Sequence, residues 1–190
     1  MAPVSIWAEV PCKLTVDKTQ PPAPHPRMSD DIAFRDLAIG DAGWLIQRHG
    51  ELYAKAEGFD ASFEPLVAEI LVDFIRNRDA DTERAWIAYR GKERLGSIFC
   101  VKSGTPGVAK LRLFLVEPDA RGLGLGQRLL DLCVAHARSK GFHTLRLWTH
   151  ASHRAACALY AKNGFQCTDH SPVHSFGVDL IEQTWELDLS

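Results

Sequence analysis

Residues 121–127 read Arg121-Gly122-Leu123-Gly124-Leu125-Gly126-Gln127, with a glycine at every second position between an apolar stretch and an amphipathic one. Alternate glycines strip side chains from a turn, so that backbone N–H groups can converge. The helix expected to follow adds its unpaired N-terminal donors and the positive end of its dipole. Together these features suit a phosphate or pyrophosphate, and Arg121 and Arg128 can add charge. The P-loop pattern is excluded, because no Lys-Ser or Lys-Thr follows the glycines. The dinucleotide fingerprint fails as well: after Gly122 and Gly124, the third required glycine position holds Gln127. A plain flexible loop is the bland alternative.

Outward from the loop, residues 108–116 are an apolar strand that runs into Glu117-Pro118-Asp119-Ala120. A helix is expected from about Gly124 to Ser139, with Leu125, Leu129, Leu132 and Cys133 on one face and Gly141 ending it. Residues 144–149 predict a strand, and 152–162 a helix stopped by Asn163-Gly164. Two strands around 165–170 and 176–187 close the chain. Upstream, 84–90 and 95–102 predict a hairpin about Gly91-Lys92. Residues 32–39 predict a first strand. A helix after Gly40-Asp41 should end near Gly58, and Ser62 is placed to cap a second one. The order is βααβββαβαββ. Antiparallel hairpins followed by a βαβ unit imply a mixed α/β sheet.

The loop also satisfies [QR]xxGx[GA] through Arg121, Gly124 and Gly126. It is followed at a regular distance by Ala155-Ala156-Cys157-Ala158-Leu159-Tyr160-Ala161-Lys162-Asn163-Gly164-Phe165. This pair of segments resembles the A and B motifs of the GNAT superfamily of N-acetyltransferases, and the resemblance extends over about residues 32–190. Gly40-Asp41-Ala42-Gly43-Trp44, Leu111-Arg112-Leu113 and His174-Ser175-Phe176-Gly177-Val178-Asp179-Leu180 look like the acetyltransferase domain often fused behind a MarR-type winged-helix regulator. The proline-rich residues 1–27 cannot form a winged helix, so the chain reads as a stand-alone version: a loosely ordered extension, then a domain over 28–190.

The resemblance implies a GNAT fold, with a mostly antiparallel mixed sheet and one splayed parallel strand pair, 108–117 and 144–149. It implies acetyl-CoA as cosubstrate, with the pantetheine arm along the backbone of Phe114, Leu115 and Val116. The pyrophosphate would lie on Arg121, Gly122, Leu123, Gly124, Leu125, Gly126 and Gln127. Tyr160 matches the tyrosine that protonates the leaving thiolate, and Val116 N–H is the expected oxyanion donor. His153 stands where an asparagine is common and would touch the cofactor. Trp148 stands where some members keep a glutamate base. The amine proton is then expected to leave through water, Glu117, His49 or His174, with Glu117 the first choice. The implied reaction is direct attack of a primary amine on the thioester in a ternary complex. An acetyl-CoA-binding regulatory module without turnover is the alternative.

Apolar residues make up 46% and charged residues 24% of the 190, enough for a real core. A net charge of −2 is a poor basis for binding nucleic acid, and none is expected. The five cysteines are odd in number and widely spaced, as in a reduced, cytoplasmic protein with buried thiols. No stretch is apolar for long enough to span a membrane. His150, His153 and Cys157 lack the further ligands of a structural zinc site, so no metal is expected. The acceptor is a small-molecule or peptide amine of unspecified kind. Oligomeric state is open, with a homodimer among the alternatives.

Overall fold

The computed structural model describes residues 31–190, and the expected extension over 1–27 lies outside them. The elements are β1 (Ala33–Arg35), α1 (Asp41–Glu57), α2 (Phe63–Asn77), β2 (Arg84–Arg90), β3 (Glu93–Lys102), β4 (Val108–Val116), α3 (Leu125–Ser139), β5 (Thr144–His150), α4 (Arg154–Lys162), β6 (Gln166–Ser175) and β7 (Val178–Asp188). A short 3-10 turn, Pro118–Ala120, joins β4 to the glycine loop. The sheet has seven strands in the order β1-β2-β3-β4-β5-β7-β6, and only β4 and β5 run parallel. The expected α/β GNAT architecture and element order are therefore present.

Two cores sandwich the sheet. Leu125, Leu129, Cys133 and Ala137 of α3, with Tyr160 of α4, pack on Ile98, Ala109, Leu111 and Leu145. On the other face Leu45 of α1 and Val67, Leu71 and Phe74 of α2 cover Ile87, Phe99 and Leu113. The two-residue alternation of strands sends neighbours such as Ile98 and Phe99 to opposite cores.

β4 departs from that alternation. Ser97 pairs with Leu115 and Phe99 with Arg112, so β4 holds one residue more than β3 in between. Leu113 has φ 45°, and the Ser97 hydroxyl donates to its carbonyl at 2.6 Å. The hydrogen bond satisfies a buried acceptor next to the bulge. The bulge also bends β4 away from β5. Their ladder runs from Val108–Thr144 to Lys110–Arg146 and stops there, which leaves a V-shaped opening between the strand ends.

Several boundaries differ from the sequence expectation. β1 ends at Arg35 rather than residue 39, because the chain turns to bury Asp41 at the start of α1. The Asp41 carboxylate accepts from Arg35 Nη2 (2.9 Å), Arg94 Nε (2.7 Å) and the Ala38 N–H (2.7 Å). Ser62 does not cap α2 with its side chain. Its own N–H (2.9 Å) and hydroxyl (2.5 Å) both go to Asp60 Oδ1. β6 continues past residue 170 to Ser175, and Phe176-Gly177, with φ 56° and 77°, make a two-residue hairpin turn. Pro172 is tolerated because β6 is the sheet edge. Cys100 and Cys133 are buried as expected, but Cys157 is only partly buried and Cys167 is exposed.

Candidate active site

At the start of α3 the backbone is prepared for an anion. Gly122 and Gly124 adopt φ of 77° and 74°, a region that side chains disfavour. The space a Cβ on either would enter holds no other protein atom within 4 Å. The first intrahelical hydrogen bond runs from Arg128 N–H to Gly124 O (3.1 Å), so the N–H groups of Leu125, Gly126 and Gln127 have no helical acceptor. No acidic residue occupies that first turn. These features fit the diphosphate of a CoA. Gly126 differs: a Cβ there would make ordinary contacts of 3.6 to 3.8 Å with Leu159, Phe114 and Val116. The Gln127 amide is turned aside, donating to Asn163 Oδ1 (2.6 Å) and Asp131 Oδ1 (2.7 Å), which ties α3 to the end of α4. Arg121 is exposed and reaches Val116 O at 3.4 Å, whereas Arg128 donates to Ile32 O and lies over the Phe34 ring.

Along β4, Glu117 N–H donates to Leu95 O (2.9 Å). Antiparallel alternation then turns the Leu115 backbone toward Ser97 and the Val116 N–H toward the side β5 has left. Phe114 and Val116 place their side chains over α3 and α4, beside Tyr160, whose ring centroid is 6.2 Å from that of Phe114.

A cavity of about 480 Å³ opens from this splay toward α1 and α2. Tyr160 and Phe114 line it, together with Tyr53, His49, Trp148, His150 and Phe176. Tyr160 is 4% exposed, and burial pushes its hydroxyl far above the usual phenol range. Burial drives Tyr53 up to about 12. His49 donates from Nδ1 to Leu45 O (2.8 Å), while its buried Nε2 has no partner. Both ring nitrogens of His150 are buried without a partner. Burial lowers each of these imidazoles to about 4, so both are neutral near pH 7. The unpaired nitrogens are costly in the bare protein and suit a polar ligand.

Not every expected residue meets this cavity. Glu117 is held by Arg48 through two hydrogen bonds of 2.7 Å and is absent from the cavity wall. His174 is exposed and pairs with Asp179 (2.8 Å) on the outer hairpin. His153 does line the cavity, but its Nε2 faces Glu57 (3.4 Å) and its Nδ1 the Thr149 hydroxyl (3.3 Å). Trp148 is 38% exposed and borders the cavity, 4.5 Å from the His150 ring. Sequence reading missed His150, Tyr53 and Arg112. Period-two alternation on β5 was the available signal for His150, since it shares a face with Arg146 and Trp148.

Comparisons with known proteins agree with this geometry. The Acetyltransferase (GNAT) family profile matches residues 51–165, from within α1 through the glycine loop to Phe165. Mycothiol acetyltransferase of Cellulomonas flavigena is 29% identical over 168 residues, 82% of this chain and 47% of its own length. The enzyme of that name from Arthrobacter sp. strain FB24 is 34% identical over 160 residues, 80% of this chain and 48% of its own. The chain thus spans about half the length of these relatives. Among solved structures, an N-acetyltransferase from Staphylococcus aureus Mu50 superposes with a TM-score of 0.68 at 20% identity, covering 84% of this chain and 99% of that one. Spermidine N-acetyltransferase from Vibrio cholerae, in complex with CoA and spermine, gives 0.63 at 16% identity, covering 84% of this chain and 96% of that one. None of the helices over residues 31–190 is long and apolar enough to cross a membrane. Its loop, its splayed strand pair and the match over more than half its length together place this chain in the Acetyltransferase (GNAT) family.

Proposed function

We propose that this chain transfers an acetyl group from acetyl-CoA to a primary amine by direct attack in a ternary complex. One observation carries the reading: buried Tyr160 lines a cavity that takes in the β4/β5 splay, next to an α3 whose N-terminus is shaped for an anion. The N–H groups of Leu125, Gly126 and Gln127 hold the diphosphate over Gly122 and Gly124, with Arg121 and Leu123 at the rim. Phe114 and Val116 offer backbone groups to the pantetheine, while Leu115 serves by keeping β4 paired to Ser97. Bound acetyl-CoA supplies a thioester, which exchanges its C–S bond for a C–N bond to the amine.

The side chains divide the proton traffic. Tyr160, its hydroxyl held protonated by burial, gives a proton to the departing sulfur. Val116 N–H donates to the carbonyl oxygen as it gains charge. The unpaired His49 Nε2 accepts a hydrogen bond from the amine and orients its lone pair. With its basicity lowered by burial, His49 passes the amine proton on to water rather than keeping it. Glu117, with both oxygens on Arg48, is assigned to fixing α1 against the end of β4 and not to the base role. His153 orders the start of α4 near the cofactor.

The finer likeness to the domain fused behind MarR-type regulators rests on the sequence of residues 40–44, 111–113 and 174–180 alone and is part of this proposal. Residues 28–190 as the domain, 1–27 as an extension and a cytoplasmic setting belong to the same proposal. The test is thiol release from acetyl-CoA with a panel of amines. Tight acetyl-CoA binding without turnover on any amine would favour the regulatory module.

A further inference from the structure

Before its bulge, β4 turns Lys110 and Arg112 toward α2, and Arg146 is the registered partner of Lys110 on β5. All three line the cavity, as does Ile70 of α2. Adjacent cations on a partly buried floor repel one another in a medium less polarisable than water. Burial, then Arg112 and Arg146, push the Lys110 amine below its usual range, and burial alone lowers Arg112. Arg146 is compensated by Glu186 at 2.5 Å. Lys110 and Arg112 have no carboxylate or hydrogen-bond partner among the described residues.

The acids across Ile70 are engaged elsewhere. Asp79 pairs with Lys102 (2.5 Å), and Glu83 accepts from the N–H groups of Lys102 and Asp79. Asp73 accepts from Asn77 (2.9 Å). Glu182 also lines the cavity, but it lies opposite His150 in the strand register, four residues along β5 from Arg146. Lys110 and Arg112 share a second hollow with Asp73, Asp79 and Glu83, but neither cation forms an ion pair with any of the three.

We infer that Lys110 and Arg112 form an anion subsite, and that the acceptor is an amine carrying a carboxylate or phosphate at its far end. This rests on the acetyl-transfer reading above. Arg112 and Val116 are registered to Phe99 and Gly96, three residues of β3 apart, about 10 Å along the sheet. Amine and anion thus occupy opposite ends of one elongated acceptor and do not share a carbon. Phe63, Phe176 and Trp148 add apolar wall to the same cavity and suit a methylene chain. A polyamine would bring positive charge to a positive floor.

The experiment compares 6-aminohexanoate, 6-aminohexanamide and 5-aminopentyl phosphate as acceptors, in wild type, Arg112→Gln and Arg112→Lys. Charge-assisted hydrogen bonds predict that kcat/KM for the anionic acceptors exceeds that for the amide by about 10- to 100-fold. The ratio should collapse toward one in Arg112→Gln and survive in part in Arg112→Lys. The ratio of carboxylate to phosphate identifies which anion is preferred. Equal use of amide and anions by wild type, or an unchanged ratio in Arg112→Gln, overturns the inference. Calorimetry of 6-aminohexanoate on the CoA-loaded protein separates the two readings. Binding that Arg112→Gln abolishes, without turnover of any probe, sinks acetyl transfer to these amines and keeps the subsite. No binding of either anion to wild type sinks the subsite. The thermal midpoint of Arg112→Gln should equal or exceed that of wild type, because an uncompensated cation is removed. A clear fall marks Arg112 as structural and also overturns the inference.

Discussion

Arg48 grips Glu117 in a two-pronged ion pair, Nε to Oε1 and Nη2 to Oε2, both at 2.7 Å, linking the middle of α1 to the residue that follows β4. Arg48 also reaches Glu51 one turn along the helix. A carboxylate with both oxygens on a guanidinium is fixed in place by two charge-assisted hydrogen bonds. Glu117→Gln should therefore lower stability by about 2 kcal/mol, the scale of a charged hydrogen bond. Turnover should fall by less than about tenfold and keep the shape of its pH profile, since no general base is lost. A thousandfold drop that removes the dependence on the basic form would return the base role to Glu117.

Tyr160→Phe keeps the ring packed between Phe165 and Trp185 and deletes only the proton donor. Turnover should drop by roughly 10²-fold or more. Acetyl-CoA affinity should barely change, because the hydroxyl acts as the sulfur departs. The deficit should narrow at lower pH, where solvent protonates the thiolate more readily. Steady-state rates alongside calorimetry would check this, and equal rates in the two proteins would take the acid role from Tyr160.

The loop glycines should behave unequally. Gly124→Ala forces a side chain into a left-handed conformation and should cost about 1 kcal/mol. Gly126→Ala meets only ordinary contacts and should be close to neutral in thermal melts. Gly124→Glu should abolish the thermal gain that acetyl-CoA gives to wild type, since it puts a negative charge into the anion cradle. Normal CoA binding by that variant would contradict the assignment of the loop.

Acid should destabilise the protein well above the carboxylate range. His49 titrates at about 4 when folded and near 6.5 when unfolded, because burial outweighs the opposing hydrogen bond to the Leu45 carbonyl and the pull of Glu117. Between those values the unfolded chain binds the extra proton, so stability is full above about pH 6.5 and is lost as pH falls toward 4. The fully developed loss is roughly 3 kcal/mol for His49, and His150 adds in the same direction. Urea melts from pH 7.5 to 4.5 should show this slope, and His49→Gln should flatten it. A wild-type curve that stays level over the interval would refute the neutral buried state of His49.

The segment proposed to hold the cofactor was legible as a structural unit because it is local. A strand, a loop with glycines at alternate positions and a helix are contiguous in residues 108–139. β2 and β4 begin and end where their apolar patterns do. The acceptor half draws its walls from α1, α2, β4, β5, α4 and the hairpin turn at Phe176, and no single window of sequence holds it. The engagement of Glu117 was hidden for the same reason: its partner Arg48 lies sixty-nine residues away. The turn from β1 into α1 was misread because Ile39, apolar in the pattern, is fully exposed, while the charged Asp41 is buried.

The extra residue at Leu113 has a bearing on how this chain can diversify. Ala109 and Leu111 face α3, but beyond the bulge it is Phe114 and Val116 that do so, and the even-numbered side chains change sides between Arg112 and Phe114. β4 therefore carries two phases in one strand. Substitutions at positions 110 and 112 retune the floor that meets the acceptor, while those at 114 and 116 touch the cofactor side, and neither set disturbs the pleat of the other. A one-residue deletion at the bulge would merge the phases. It would carry Arg112 into the apolar layer over α3 or drag Phe114 and Val116 out of it, so the two halves of the site can drift independently only while that single residue stays in place.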